Sequence, residues 1–447
     1  MQIKAKIKDS FLYKIFDFFL KNSDFFLKNS EISLKNRPFC VAVSGGVDSM
    51  ALVFCAKIWA EENDSELYCV TVDHHLRDDS TKEAQQVSET LKQHNIQHDI
   101  LNWEHPPIQY GIQEKARRAR YDLLHDYCQE NNISILMTAH HLLDKVETYY
   151  LRKAKKSGIV GLAAMQAKSY FKRLSLLRPF LKCDKQDLIQ FCEQYQIPWY
   201  EDASNENVKY TRNSLRKKLS EQDINDAKVE ITKAQDQKKV LYQFILEKAK
   251  QILLVDAWGG LQIDLALAPD LLTIKDENLY FWGILLRIFT GNDYAPKFEK
   301  RKQLLERLSA KETCTATLSG AIIERKKDKI FIYREQKAIE KCKRFIQNGE
   351  TIIWDNRFEI ILDLQNQIFE HSCWEIVLFE KKYDLFRHIP FIKRKTIPIL
   401  KNTCIGDCII FPFEGKLMYQ EKIIDLGEEC RFKTVFLQSL FKELMNV

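Results

Sequence analysis

Three groups of residues have the types and spacing to do chemistry. The first is Ser44-Gly45-Gly46-Val47-Asp48-Ser49. Glycine is scarce, 14 in 447 residues, so a Gly-Gly pair directly after an apolar run is informative. Two glycines let backbone amides point inward as an anion nest, and a following helix adds its positive dipole end. Ser44 and Ser49 add hydroxyls. Asp48 would repel a bare phosphate, and its carboxylate makes sense if Mg2+ sits there with a pyrophosphate. The loop lacks the Gly-Lys-Ser/Thr of a Walker A motif. The second group is Asp144 and Glu147, three residues apart, so that a helix turns both carboxylates the same way. An acidic pair beside a nucleotide suits an amino substrate or a metal, and Thr148 and His141 share its side. The third is basic: Arg117, Arg118 and Arg120 within one segment, and Arg212 and Arg216 at i, i+4. Guanidinium forks match phosphate oxygens, so these read as polyanion-facing. His140-His141 reads as a packed, capping pair rather than a metal site.

The elements that must position these groups follow from the pattern. Short apolar runs at 39–43 (FCVAV), 67–73 (LYCVTVD), 98–103 (HDILNW) and 133–139 (ISILMTA) read as strands, and 80–94 and 112–131 as helices. Alternation of this kind predicts an α/β fold with a doubly wound parallel sheet, whose ligands bind beyond the strands' carboxyl ends. The phosphate loop and the acidic pair both lie just after such an end. Residues 17–37 carry DFFLKNS twice and a degraded third copy, EISLKNR. The seven-residue period keeps Phe19, Leu20, Phe26, Leu27 and Leu34 on one helical stripe, read as an extension packing on its neighbour. The expected organisation is an extension over 1–37, a catalytic domain over 38–222, a mainly helical domain over 223–340 and a small α+β domain over 341–447. A charged connector helix leads into the third of these, and residues 279–289 form its buried helix.

Composition narrows the class. With 29% charged and 45% hydrophobic residues the chain reads as globular, which excludes disorder, and no apolar run reaches the ~20 residues of a membrane span. The twelve cysteines include no Cys-x-x-Cys and no zinc spacing, which points to a reducing cytoplasm. The net charge of +6 is a sum over unlike regions. Lys115–Arg120 holds four basic residues and no acid, whereas Glu61–Glu66 holds four acids and no base. Basic faces of this kind suit a polyanion whatever the total, with affinity that falls as salt rises.

The SGGVDS loop resembles the PP-loop of the ATP pyrophosphatases. The series that follows it, VDHHLR (72–77), QEKARRARYDLL (113–124), TAHHLLDKVET (138–148), SGIVGLAAM (157–165), RPFL (178–181) and WYEDASNENVKYTRNSLRKKL (199–219), resembles the tRNA(Ile)-lysidine synthetases. The resemblance is specific over about 38–220. WDNR (354–357) and residues 389–415 are similar to the C-terminal domain of the family's longer members.

The resemblance implies an enzyme that uses ATP and Mg2+ to adenylate the wobble cytidine of the isoleucine tRNA with a CAU anticodon. L-Lysine then displaces AMP through its ε-amine. It implies ATP contacts from Ser44, Gly45, Gly46, Val47, Asp48 and Ser49, with Asp48 as the metal ligand. Asp144 and Glu147 would bind or deprotonate the lysine amine, and Arg120 and Arg212 would steady ATP or the activated base. No membrane partner is expected, and a homodimer is left open. The sequence departs from the family pattern at His75, where a Gly is usual, at Leu143, usually Asp, and at Lys145, usually Gln. The catalytic role is therefore carried to Asp144 and Glu147 and not to position 143. Two other readings stay open, a tRNA thiolase on the same loop and an inactive RNA-binding homologue.

Overall fold

A computed structural model describes residues 2–26, 36–76, 79–106, 110–171, 174–200, 211–216, 218–292, 294–339, 344–355, 357–365, 372–378, 393, 395–404, 408–412, 416–419, 422–426 and 430–445. The chain divides into two compact units, one reaching Lys239 and one running from Val240 to Met445.

The first unit opens with helices α1 (Gln2–Asp9) and α2 (Phe11–Phe26). Strands and helices then alternate: β1 (Phe39–Ala42), α3 (Val47–Glu62), β2 (Leu67–Asp73), α4 (Ser80–Gln93), β3 (His98–Asn102), α5 (Ile112–Glu130), β4 (Ile135–Met137), α6 (Leu142–Ala154), α7 (Ile159–Leu162), β5 (Lys168–Phe171), β6 (Leu174–Leu177), α8 (Lys185–Gln194) and α9 (Thr211–Arg216). One sheet results, in the order β3-β2-β1-β4-β6-β5. All its pairs are parallel except β5 with β6. Val41 of β1 pairs with Cys69 on one side and Met137 on the other. The strand order reverses beside β1, and there the loop after β1 meets the loop after β4, the usual ligand position in open α/β sheets.

α3 is buried on nearly every face, with Met50, Ala51, Leu52 and Val53 inaccessible to solvent, which explains its unbroken apolar run. On the same side α2 turns Leu12, Phe16 and Leu20 inward, and the Phe16 ring lies 6.1 Å from that of Phe180. Full burial of a Phe stabilises by roughly 1.5–3 kcal/mol, enough for three such residues to dock a two-turn stripe. Of the repeat's stripe, Leu20 is buried and Phe19 is partly buried against the same core; the Phe26 side chain, Leu27 and Leu34 lie outside the described residues.

α10 (Glu221–Ile252) begins in the first unit and ends in the second. It is followed by β7 (Leu253–Val255), β8 (Leu261–Asp264), α11 (Asp276–Thr290), α12 (Phe298–Ala310), β9 (Thr313–Leu318), β10 (Ala321–Lys326) and β11 (Lys329–Arg334). The segment read as mainly helical thus also carries a five-stranded sheet, β7-β8-β11-β10-β9. Its tight turns have the chemistry of two-residue hairpins. Ser319 and Gly320 both have positive φ, +53° and +83°, between the paired Leu318 and Ala321. Beyond it, β12 (Arg344–Gln347), β15 (Cys373–Leu378), β16 (Pro398–Asn402), β17 (Ile409–Phe411), β18 (Lys416–Tyr419) and β19 (Lys422–Asp425) build a six-stranded antiparallel sheet, and β13 (Thr351–Trp354), β14 (Phe358–Leu362) and β20 (Cys430–Thr434) a three-stranded one, with Phe436–Met445 as a closing helix. Within WDNR, Arg357 is 1% exposed. It donates to Asp355 Oδ2 at 2.7 Å and to the Thr396 carbonyl at 2.7 Å, while Arg334 donates to Asp355 at 3.1 Å. That motif is a buried ion triad tying strands together. Among the described residues no helix is long and apolar enough to cross a membrane.

Candidate active site

The phosphate loop is built as its residues dictate. Gly45 sits at φ +80°, and a Cβ added there would meet Val87 Cγ2 at 2.5 Å. Gly45 is therefore required twice, for conformation and for space. Its carbonyl accepts from the Tyr200 amide at 3.0 Å. Gly46 is the N-cap of α3, so the helix leaves the amides of Val47, Asp48 and Ser49 without intrahelical acceptors, aimed where an anion would bind. Ser49 is spent on the loop itself. Its hydroxyl donates to the Gly46 carbonyl at 2.9 Å and accepts from the Ser44 amide at 3.2 Å and the Ser44 hydroxyl at 3.3 Å.

Asp48 stands in the first turn of α3. Its Oδ2 lies 3.8 Å from His141 Nε2 and 4.0 Å from Lys185 Nζ. Its Oδ1 is buried with no hydrogen-bond partner. Burial raises the Asp48 carboxyl above the ordinary carboxylate value; His141, Lys185 and Arg216 oppose this, and Asp144 adds to it. An orphaned carboxylate oxygen against a phosphate nest fits a divalent cation of the Mg2+ kind, which takes one or two carboxylates and completes its shell with phosphate and water oxygens.

The acidic pair enters from α6. His141 caps this helix: its Nδ1 accepts from the Leu143 amide at 3.2 Å, and its own amide donates to Asp144 Oδ2 at 3.0 Å. This reciprocal cap stabilises by ~1 kcal/mol and fixes the ring. Because Nδ1 accepts, a neutral ring carries its proton on Nε2, turned toward Asp144 Oδ2 at 3.6 Å and toward Asp48. Glu147, one turn on, is 1% exposed. Arg216 of α9 joins the two carboxylates: Nε donates to Glu147 Oε1 at 2.5 Å and Nη2 to Asp144 Oδ1 at 3.3 Å. Burial alone would raise the Asp144 carboxyl, but His141, the His141 amide, His140 and Arg216 together hold it below the ordinary value. The Thr148 hydroxyl is spent on the helix itself, donating to the Asp144 carbonyl one turn back at 2.8 Å.

One connected set therefore runs Asp48–His141–Asp144–Arg216–Glu147, with Lys185 at its edge. Arg120 is engaged elsewhere, donating from Nε to His74 Nε2 at 3.2 Å just beyond β2. Burial and the Arg120 guanidinium push the His74 imidazole down to about 4, so it is neutral and accepts. Arg212 belongs to α9, but its side chain lies outside the described residues, as do Arg77 and residues 201–210. Spacing had paired Arg216 with Arg212 as a polyanion-facing side; Arg216 instead turns onto the carboxylates, because α9 packs against α6. Sequence reasoning did not find the bridging role of His141 or the presence of Lys185. The only available signal was the position of His141 three residues before Asp144, the spacing of a reciprocal cap.

The departures from the family pattern also have local explanations. His75 adopts φ +48°, a conformation that favours Gly. It is held there by its amide donating to Asp73 Oδ1 at 2.9 Å and by its Nε2 within 3.2 Å of Asn102 Oδ1. Leu143 contributes its amide to the His141 cap. Lys145 is half-buried, and burial followed by the neighbouring Lys182 lowers its ammonium below the ordinary lysine value.

Residues 19–223 match the family described as PP-loop domain. The tRNA(Ile)-lysidine synthase of Rickettsia bellii (strain OSU 85-389) is 30% identical over 357 residues, covering 77% of this chain and 81% of its own. That of Rickettsia akari (strain Hartford) is 32% identical over 380 residues, covering 81% and 86%. Among solved structures, the U34-tRNA thiolase NcsA from Methanococcus maripaludis with its [4Fe-4S] cluster covers 49% of the chain and 78% of its own, at 12% identity and a TM-score of 0.38. The sequence relatives align over most of both chains, and the chain belongs to the tRNA(Ile)-lysidine synthase family of PP-loop ATP-dependent ligases.

Proposed function

We propose that this enzyme joins L-lysine to C2 of the wobble cytidine in the isoleucine tRNA with a CAU anticodon, through an adenylated base, releasing pyrophosphate and AMP. The observation that carries the reading is the connected set from Asp48 to Glu147, which puts a buried carboxylate pair within reach of the phosphate loop. Cytosine C2 is a poor electrophile because its oxygen leaves badly. In the proposed first step that oxygen attacks the α-phosphorus of ATP and pyrophosphate departs. In the second, the lysine ε-amine attacks C2, AMP leaves with the oxygen, and the amine loses its proton.

Each residue has a task in this scheme. The amides at the start of α3 and the Gly45–Gly46 turn receive the departing phosphates, and the Ser44–Ser49 hydrogen bonds keep that turn closed. Asp48 would hold Mg2+, which when bound supplies positive charge against the pyrophosphate oxygens. Asp144 and Glu147 bind the ammonium and take a proton from the attacking amine. His141 positions Asp144 through the cap. Arg120 and Arg212 remain the candidates for steadying ATP or the activated base. The wobble base must leave its stack to reach this edge, at a cost of a few kcal/mol that is least in a single-stranded loop.

The order of steps is tested by pyrophosphate release. The reading expects release that depends on tRNA and does not require lysine. Equal release without tRNA would overturn the assignment of RNA as the activated substrate.

A further inference from the structure

The carboxylate pair assigned to the amine already holds a cation from the chain itself. Glu147 is 1% exposed, and its Oε1 takes Arg216 Nε at 2.5 Å. Asp144 divides its oxygens: Oδ2 accepts the His141 amide at 3.0 Å, and Oδ1 takes Arg216 Nη2 at 3.3 Å. A primary ammonium lying against both carboxylates would compete for the oxygens that Arg216 uses. Two cations on these oxygens would repel each other, whereas removal of all cations would leave buried carboxylates uncompensated. The two partners also differ in freedom. Asp144 and Glu147 are fixed on the thirteen-residue α6, while Arg216 ends the six-residue α9 and keeps 32% of its side chain exposed.

We propose that Arg216 is an intramolecular stand-in for the substrate ammonium, and that the amine enters by exchange, the guanidinium turning outward as the ammonium takes Glu147 and Asp144. The proposal rests on the reading of this pair as the lysine site. Exchange conserves charge in the pocket, so the carboxylates stay ionised and oriented throughout. It also filters ligands, since only a cation can replace a cation there. Arg216 is thus a positioning residue whose guanidinium sets the threshold affinity for lysine.

Calorimetric titration of the full chain with L-lysine, without tRNA, tests this in wild type, Arg216→Gln and Arg216→Lys. With its competitor removed, Arg216→Gln should bind lysine about ten-fold more tightly, the scale of one charge-assisted hydrogen bond. Added guanidinium ion should then compete with lysine in that variant. Arg216→Lys, which keeps a cation, should bind like wild type. Lysine binding to a folded Arg216→Gln that is equal to or weaker than wild type overturns the proposal. A readout in wild type covers a variant that fails to fold. The Arg216 Nε proton, followed by 15N NMR, should lose its protection from exchange as lysine saturates, and retained protection at saturation overturns the exchange. Lysine transfer to tRNA by the wild type is measured separately. Product formed while Arg216 stays on Glu147 removes the stand-in role alone, and product absent removes the underlying reading.

Discussion

Arg216 donates its Nε proton to Glu147 Oε1 at 2.5 Å while its Nη2 reaches Asp144 at 3.3 Å, so one fork spans both carboxylates of α6. Through Asp144 the fork is linked to His141, and through His141 to Asp48 in the phosphate loop. In the proposed reaction, phosphate handling and amine handling would therefore share one electrostatic set.

Glu147→Ala separates those halves. It should lower lysine transfer by about 10²-fold or more, the scale of a lost general base, while leaving tRNA-dependent pyrophosphate release within a few-fold of wild type. Single-turnover assays of each step make the comparison. An equal loss in both would refute the division of roles.

Asp48→Asn trades function for stability. The carboxylate is pushed up by burial and keeps one oxygen without a partner, so the neutral amide removes an unfavourable charge. Thermal unfolding should occur at the same or a higher temperature, and pyrophosphate release should fall by about 10²–10³-fold. A destabilised variant would contradict the account of Asp48.

Gly45→Ala should unfold more easily by roughly 1–3 kcal/mol, from a positive φ and overpacking against Val87. Adding Val87→Ala relieves the contact and not the φ, so recovery should be partial. Urea melts of the single and double variants read this directly, and full recovery would show that space alone matters.

Acid should weaken the fold through three buried imidazoles. Burial holds His74, His98 and His140 down to about 4 against 6.5 in the unfolded chain. The folded state then binds fewer protons between those values. Its stability is full above about pH 6.5 and falls as pH drops toward 4. Asp144, held low, adds its own loss only below the ordinary carboxylate value. Urea melts at pH 7 and 5 should show the decline, and His98→Asn should flatten it. A pH-independent melt over this window would contradict the burial of these rings.

The fold around the phosphate loop was legible because its signal is local. A buried run, two glycines and a helix start follow one another in the chain, and Asp144 and Glu147 share a helix face by spacing alone. The partners of those residues were not legible. Arg216 lies 69 residues from Glu147, and no periodicity joins Lys185 to Asp48. The sheet of β7 to β11 was missed for a different reason. Its strands are three to six residues long, and the apolar helix at 279–289 dominates the pattern around them. The Ser319-Gly320 turn between two alternating segments was the overlooked cue. Arg120 was legible as a basic residue on a helix but not in its attachment to His74, which comes from the loop after another strand.

Lysine transfer to the wobble base is read out by mass analysis of that nucleoside. After incubation of the CAU-anticodon isoleucine tRNA with the enzyme, ATP, Mg2+ and L-lysine, the wobble cytidine should gain the mass of lysine less one water. An unmodified cytidine, or a sulfur-for-oxygen mass change when a sulfur donor is supplied, would contradict it.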